Sequence, residues 1–432
     1  MSVAAITLLQ QRRLGWTRSG VVALMFGLSV ISYFDRTIMS IAGPSMITEF
    51  GITPTQMGTV YSAFLLSYTL LMIPGGRLAD RFGPRIVLAW MAFGSALFTA
   101  LVAVAGRPGL GAVFGILPSL LLIRLCAGVF TAPLYPTCGK MNANWAPAHL
   151  RARVQGFINA GAGVGGAVSP IIFAALIRWY GWRIAFVIAG VVTALLGLAW
   201  VVYVRDYPTQ HPALRGLDIE NPAGRLEDSR APAPWGKLLR NRSLRWLTAG
   251  YVMIDYFEYI FFYWIYYYLG EVRHLGPAES AVYTTILFAA WVLLTPVGGW
   301  VADRMTRRLG VRQGLRLFGI STLAGSAVLL CVGANASGTL GAVSFMALAL
   351  ALTSCADVAF WTATIGISGK EVGAAGAIMN TGGNAGGFLA PIVTPLIAAR
   401  FGWSAALYFG SLVAVAALLT WLPFNPAREE SA

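Results

Sequence analysis

Stretches of about 20 apolar residues recur along this chain, and they limit its fold more than any other feature. Val21–Ile41, Ile86–Ala105 and Trp403–Phe424 are three of them. A helix that crosses the roughly 30 Å hydrocarbon layer of a bilayer needs about 20 such residues. Lipid offers the backbone no hydrogen-bond partners, so a crossing segment must satisfy its own N–H and C=O groups as a helix. Twelve spans are expected, near 20–42, 56–78, 85–105, 112–138, 153–177, 183–204, 244–269, 280–301, 312–333, 338–366, 372–398 and 403–424. Composition agrees. Apolar residues are 57% of the 432 positions and charged residues 11%, against about 25% charged in a soluble domain.

The formal net charge is +14, which raises the question of nucleic acid. A nucleic-acid surface would show a basic stripe interleaved with exposed aromatics. Here the basic residues sit in short loops between apolar runs, so no nucleic-acid partner is expected. Of 31 Lys and Arg, Arg107, Arg178, Arg183, Arg273 and Arg400 fall in odd-numbered loops or at their edges, and Arg36 and Arg124 fall inside spans. The other 24 lie at the termini or around even-numbered loops. The positive-inside rule then puts both termini in the cytoplasm. The first apolar run is long enough to span, and nothing ahead of it resembles a cleavable signal. A multi-pass protein of the inner (plasma) membrane is expected, with the lipid bilayer as its surroundings. Cys126, Cys138, Cys331 and Cys355 all lie in or beside apolar runs. Their spacing fits neither a metal site nor a disulfide framework, and they read as small buried hydrophobes.

The chain repeats itself. Gly75-Gly76-Arg77-Leu78-Ala79-Asp80-Arg81 recurs as Gly298-Gly299-Trp300-Val301-Ala302-Asp303-Arg304. Asn159-Ala160-Gly161, with Gly165-Gly166 and Pro170, recurs as Asn380-Thr381-Gly382, with Gly386-Gly387 and Pro391. Gly181-Trp182 recurs as Gly402-Trp403. The offsets are 223, 221 and 221, in one order, which points to duplication. The expected architecture is an all-α membrane protein of twelve transmembrane helices in two pseudo-symmetric six-helix bundles. The bundles cover 1–204 and 244–432, and a Pro-, Arg- and acid-rich cytoplasmic linker, 205–243, joins them. Carriers built this way hold substrate between the repeats near the midplane.

The loop Gly75–Arg85, which reads Gly-Gly-Arg-Leu-Ala-Asp-Arg-Phe-Gly-Pro-Arg, resembles the signature loop of the major facilitator superfamily, and the resemblance extends over nearly the whole chain. Three further segments narrow it. Tyr33-Phe34-Asp35-Arg36 with Ser40 is similar to the family's first-span motif. Arg124 with Gly128–Pro133 and Pro136, followed by Trp145-Ala146-Pro147, resembles its fourth span. Asn380 with Gly383-Asn384, Gly387 and Pro391 resembles its eleventh. Together they resemble the anion:cation symporter branch. That resemblance implies uptake of sugar acids or other carboxylates, usually driven by protons. Two positions depart from the branch. Thr131 stands where a glutamate linked to proton coupling is common. Ala162 stands where sugar-acid members often carry glutamine.

A charged side chain at bilayer depth costs on the order of 2.5–3.5 kcal/mol on insertion scales, so each one needs a reason. Arg36 and Arg124 are the candidates for gripping a carboxylate, since a guanidinium keeps its charge when buried and bonds in a fork. The alternative for each is a fixed pair with a buried acid. Asp35 adjoins Arg36 on another side of the helix and is a candidate proton carrier. Asp255 and Glu258 share a face by their spacing of three. Glu258 is the candidate to replace the acid missing at Thr131. Asp357 and Trp361, four apart, share a face and add a further acid. Tyr33, Tyr68, Trp361, Asn380 and Asn384 complete the expected substrate site, with aromatic faces for a carbon skeleton and amides for hydroxyls or carboxylates. Asp80, Arg81, Arg85, Asp303 and Arg304 lie at helix ends, where the resemblance implies gate stabilisation.

The expected function is import of a small organic anion, with protons as the coupling ion, by alternating access in a monomer. An anion exchanger or uniporter is the alternative, and Thr131 is its main support. A membrane sensor finds no signalling domain in the sequence. A membrane enzyme finds no nucleophile motif, metal motif or phosphate loop, and no cofactor is expected.

Overall fold

The computed structural model describes residues 3–106, 115–215, 235–368 and 371–424. Among them the regular structure is helical. The first half of the chain holds α1 (Val3–Phe50), α2 (Pro54–Phe82), α3 (Pro84–Leu101), α4 (Ile116–Thr131), α5 (Leu134–Trp145) and α6 (Ala148–Tyr203). The second half holds α7 (Trp235–Arg240), α8 (Arg242–Tyr267), α9 (Pro277–Leu309), α10 (Val311–Asn335), α11 (Thr339–Ile367), α12 (Val372–Phe401) and α13 (Trp403–Leu419). A π-helical turn, Tyr268–Val272, extends α8. Among the described residues, nine helices are long and apolar enough to cross a membrane. The helix α8 falls outside that set because its many tyrosines and its two carboxylates lower its hydropathy. Arg107 and the start of the span expected at 112–138 lie outside the described residues, as does 216–234 of the expected linker.

Local sequence explains where helices start and turn. Thr53 caps α2 with a reciprocal box. Its backbone N–H donates to Gln56 Oε1 at 2.8 Å, its hydroxyl accepts from the Gln56 N–H, and Pro54 follows at the first helical position. Gly181 (φ 76°) bends α6, and Gly402 (φ 85°) separates α12 from α13. These are equivalent positions of the sequence repeat, and both need the left-handed backbone that glycine adopts without strain.

Glycine also sets the tightest helix crossings. A Cβ on Gly165 of α6 would stand 2.1 Å from the Val30 carbonyl oxygen of α1. A Cβ on Gly386 of α12 would stand 1.8 Å from the Val252 carbonyl oxygen of α8. The same contact is therefore made once in each half. Small residues let backbones approach this closely where lipid supplies no hydrophobic drive.

At the end away from the signature loops, the halves close on each other. Tyr61 stacks on Tyr263 with centroids 5.0 Å apart. Ser62 donates to the Phe388 carbonyl at 2.7 Å. The opposite end is tied together within the first half. Trp145 Nε1 donates to the Arg205 carbonyl at 2.9 Å, and Asn144 donates to that of Asp206 at 3.1 Å. His211 packs edge-on to Trp145 and Tyr203, and Leu214 is buried. The opening residues of the expected linker are thus docked on the first half.

Candidate functional site

A cavity of about 350 Å³ lies between the two halves, flanked by the first-half helices α1, α2, α5 and α6 and by α8, α9, α11 and α12 of the second half. Its first-half wall includes Tyr33 and Arg36 from α1, Tyr68 and Met72 from α2, and Gln155 and Asn159 from α6. Its second-half wall includes Asp255 and Glu258 from α8, Asp357 and Trp361 from α11, and Asn380 and Asn384 from α12. Each pair is three or four residues apart, which puts both members on one helical face.

Arg36 is buried in an aromatic collar. Its guanidinium donates to the Tyr259 hydroxyl across the interface between the halves. The charge lies 4.9 Å from the Tyr259 ring centroid and 5.4 Å from those of Tyr33 and Tyr68. Such faces attract a cation without neutralising it. Among the described residues, the ion pairs within 4.0 Å are Lys140–Asp80 and Arg183–Glu49, so no carboxylate is in direct contact with Arg36.

Arg124 is equally buried but is absent from the cavity wall. It stacks on the other neighbour of Arg36, Phe64, at 4.6 Å, and its Nε and one Nη have no hydrogen-bond partner. Asp35 points into the first half, where Thr193 donates to its Oδ2 at 3.0 Å, and its Oδ1 has no partner. Thr131 also faces the interior of the first half. Its hydroxyl bonds to the Ala127 carbonyl at 2.8 Å and lies 3.0 Å from the Ser95 hydroxyl. The expected candidates therefore separate. Arg36, Tyr33, Tyr68, Trp361, Asn380, Asn384, Asp255, Glu258 and Asp357 meet at one cavity, and Arg124 and Asp35 lie behind it.

The second-half wall is acidic and aromatic. Trp291 Nε1 donates to Glu258 at 3.4 Å, and Trp361 Nε1 donates to the Tyr251 hydroxyl at 3.0 Å. Asp255 lies against Gly383, where a Cβ would come within 2.6 Å of its Oδ2. Asn384 donates to the Asn380 carbonyl at 2.8 Å, and Asn380 reaches Met72 Sδ at 3.5 Å, across the halves.

Several wall residues escaped the sequence reading. Asn159 was legible, because it is the repeat mate of Asn380, 221 residues away. Gln155, which donates to Asn159 at 3.1 Å, follows from the helical spacing once Asn159 is chosen. Trp291 and Tyr251 carried no signal that set them apart from the many other aromatics.

The signature-loop residues sit at helix ends, away from this cavity. Lys140 bonds Asp80 at 2.6 Å and the Ala79 carbonyl at 3.1 Å. The Arg85 backbone N–H donates to Asp206 at 2.8 Å, and its side chain donates to the Val201 carbonyl at 2.6 Å. Arg81 lies over Phe82 at 5.3 Å, and Arg304 over Trp300 at 5.9 Å. Asp303 is exposed.

A bundle of apolar helices enclosing a central charged cavity is the form of a membrane carrier. The sequence matches the family model described as Major Facilitator Superfamily over residues 25–366, and the chain belongs to that superfamily. Among its relatives is a protein of Cupriavidus necator named a probable sulfoacetate transporter, 29% identical, with 95% of this chain and 94% of the relative covered. Another is a hexuronate transporter of Bacillus subtilis, 28% identical, with 94% of each covered. A crystal structure of a bacterial homolog of the human lysosomal transporter Spinster superposes with a TM-score of 0.76 at 17% identity. It covers 95% of this chain and 97% of that one. The protein is a multi-pass membrane transporter and not an enzyme.

Proposed function

We propose that this carrier imports a small organic anion, a sugar acid or another carboxylate, together with protons, by alternating access. Arg36 carries the reading. It is a buried, permanently charged guanidinium that lines a cavity between the halves and has no carboxylate partner. An arriving carboxylate would supply the missing charge through forked hydrogen bonds. The relatives named for hexuronate and sulfoacetate support an anion of this size.

In this reading the chain crosses the inner membrane twelve times as a monomer, with both termini in the cytoplasm. The six-helix bundles 1–204 and 244–432 rock about the cavity, and 205–243 joins them. Arg124, behind Phe64, supports the positive field at Arg36. Asp80, Arg81 and Arg85, with Asp303 and Arg304, stabilise the cytoplasmic gate. The cavity lies between that gate and the Tyr61–Tyr263 stack, so the conformation is closed toward the outside.

Protons belong to the reading for two physical reasons. Importing one negative charge against 100 mV costs roughly 2.3 kcal/mol, a factor of about fifty in accumulation. One co-transported proton cancels that for a monoanion. The second reason is local. Ionised Asp255, Glu258 and Asp357 beside a single Arg36 would leave the cavity negative, and an anion docks there only when protons occupy those acids. Asp35, buried with a free oxygen, is a further carrier.

The test is uptake into proteoliposomes of a hexuronate, an aldonate and a sulfonate, with an imposed pH gradient and with an uncoupler. Accumulation that collapses with the uncoupler supports symport. Accumulation of none of these anions removes the reading. An exchanger or uniporter is the second reading. Thr131 favours it, because its hydroxyl is bonded within the first half and cannot titrate. Uptake indifferent to the uncoupler but dependent on anion loaded inside would establish it.

A further inference from the structure

The two walls of the cavity are not equally complete. The first-half wall has a cation, Arg36, and four aromatic rings face that cation. The second-half wall has aromatic faces and carboxylates but no cation. Asp255 and Glu258 are each only 8% exposed. Glu258 accepts one long bond from Trp291. Asp255 accepts no hydrogen bond among the described residues, and Asp357, which is bonded by the Tyr251 hydroxyl, keeps one oxygen without a partner. The same wall holds Tyr251 and Trp361, with ring planes at 86°, and Phe262 and Trp291, with ring planes at 89°. Among the described residues, no arginine or lysine lies over any of these four rings.

Aromatic rings beside carboxylates that lack a cationic partner suit a weakly hydrated cation, such as a quaternary or secondary ammonium. The opposite wall offers Arg36 to a carboxylate. Building only on the docking of a carboxylate at Arg36 in the reading above, we propose that the substrate is a zwitterion, for which the electrical cost argued there for a monoanion falls away. Its carboxylate docks on Arg36, and its ammonium end sits among Tyr251, Trp291, Trp361, Asp255, Glu258 and Asp357. The ammonium supplies the positive charge that no residue of that wall supplies. Protons on the remaining acids complete the balance. A pure anion would leave the second wall to be compensated by protons alone, and a pure cation would leave Arg36 without a carboxylate.

The test compares isosteres on the wild-type protein in nanodiscs by calorimetry. The probes are trimethylammonio-carboxylates with one to three methylenes. Each is paired with the carboxylate in which carbon replaces the quaternary nitrogen, beginning with trimethylammonioacetate against 3,3-dimethylbutanoate. Shape and carboxylate are held constant, and only the positive charge changes. The expected result is at least about tenfold tighter binding of one zwitterion than of its carbon isostere. That preference should fall severalfold in Glu258→Gln and in Asp255→Asn. If either variant fails to fold, the wild-type comparison still decides. Equal or tighter binding of the carbon isosteres overturns the proposal. If that binding is also lost in Arg36→Ala, the anion reading stands. Should no probe of either kind bind while a sugar acid does, the zwitterion proposal is likewise overturned. Zwitterion binding that survives Arg36→Ala overturns the docking of the carboxylate and the anion reading together.

Discussion

The helix α1 and the helix α8 are crossed in the same way, yet they bring opposite charges to the same cavity. Gly165 presses on the Val30 carbonyl and approaches the Phe34 N–H. Gly386 presses on the Val252 carbonyl and approaches the Tyr256 N–H. Those contacts align residue 30 with 252 and 34 with 256. Arg36 then corresponds to Glu258, and Tyr33 to Asp255. All four line the cavity. Asp35 corresponds to Phe257, and both turn into their own half, Asp35 to Thr193 and Phe257 to a fully buried position. Duplication thus supplied two equivalent faces. Substitution made one a cation in an aromatic collar and the other a pair of acids. The polarity of the cavity is a difference between repeats, and it runs from one half to the other.

Removing the positive pole should break this comparison most completely. Arg36→Ala is expected to reduce binding of the transported anion at least about thirtyfold. Truncating one partner of a buried charge pair costs about 2–5 kcal/mol. Calorimetry on purified protein measures it. Arg124→Ala is expected to weaken binding several times less, because Phe64 stands between that guanidinium and the cavity. Equal losses in the two variants would mean that the cavity wall does not mark the substrate contact.

The negative pole should respond differently. Glu258→Gln is expected to cut pH-driven accumulation about tenfold or more, while exchange of internal for external anion persists. Asp35→Asn is expected to change accumulation less, since its carboxylate faces Thr193 and not the cavity. Counterflow and pH-jump uptake in the same proteoliposomes separate the two quantities. Unchanged accumulation in Glu258→Gln would move proton carriage to Asp35 and erase the functional contrast between the equivalent helices.

Nine of the apolar helices and the grouping of most of the cavity's lining were legible in the sequence, because helix length and helical periodicity are what lipid enforces. A charge inside an apolar run is conspicuous, and spacing of three or four assigns its face. The separation of Asp35 from Arg36 follows from that spacing alone. The placement of Arg124 does not. Helical periodicity says which way a side chain faces along its own helix, but it is silent on a ring such as Phe64 from α2 coming between. The register of α1 against α8 was also hidden. The like-looking segments Tyr33-Phe34-Asp35 and Tyr256-Phe257-Glu258 align at an offset of 223, while the glycine crossings fix 222. Sequence similarity pairs Asp35 with Glu258, and packing pairs Arg36 with it.

The shared crossings themselves can be tested. Gly165→Leu and Gly386→Leu should each force a backbone contact apart, since even a Cβ would stand at 2.1 and 1.8 Å from a carbonyl oxygen. Overpacking of this kind costs typically about 1–3 kcal/mol or more. Both variants should lower the unfolding temperature in detergent by several degrees. Similar shifts in the two would support the crossings as equivalent structural elements, and a shift in one alone would show that the repeats have diverged in packing as well as in charge.

The smallest effect should come from the signature loops, where the halves differ again. Asp80 bonds Lys140 at 2.6 Å but is 71% exposed, so the pair is open to solvent screening. Exposed pairs of this kind contribute about 0–1 kcal/mol. Asp303, its repeat mate, is exposed with Arg304 turned to Trp300. Asp80→Asn is therefore expected to leave the unfolding temperature within a degree or two of wild type, and Asp303→Asn to leave it unchanged. Their effect is expected on the proposed gate. The pair at Asp80 ties α2 to α5 within one half, and its loss should alter the rate of reorientation without altering affinity. A several-fold change in counterflow rate at constant Kd in Asp80→Asn, larger than in Asp303→Asn, would place the working gate contact in the first half. Equal changes in both variants would make the gate as symmetric as the glycine crossings and leave the cavity as the place where the repeats divide their work.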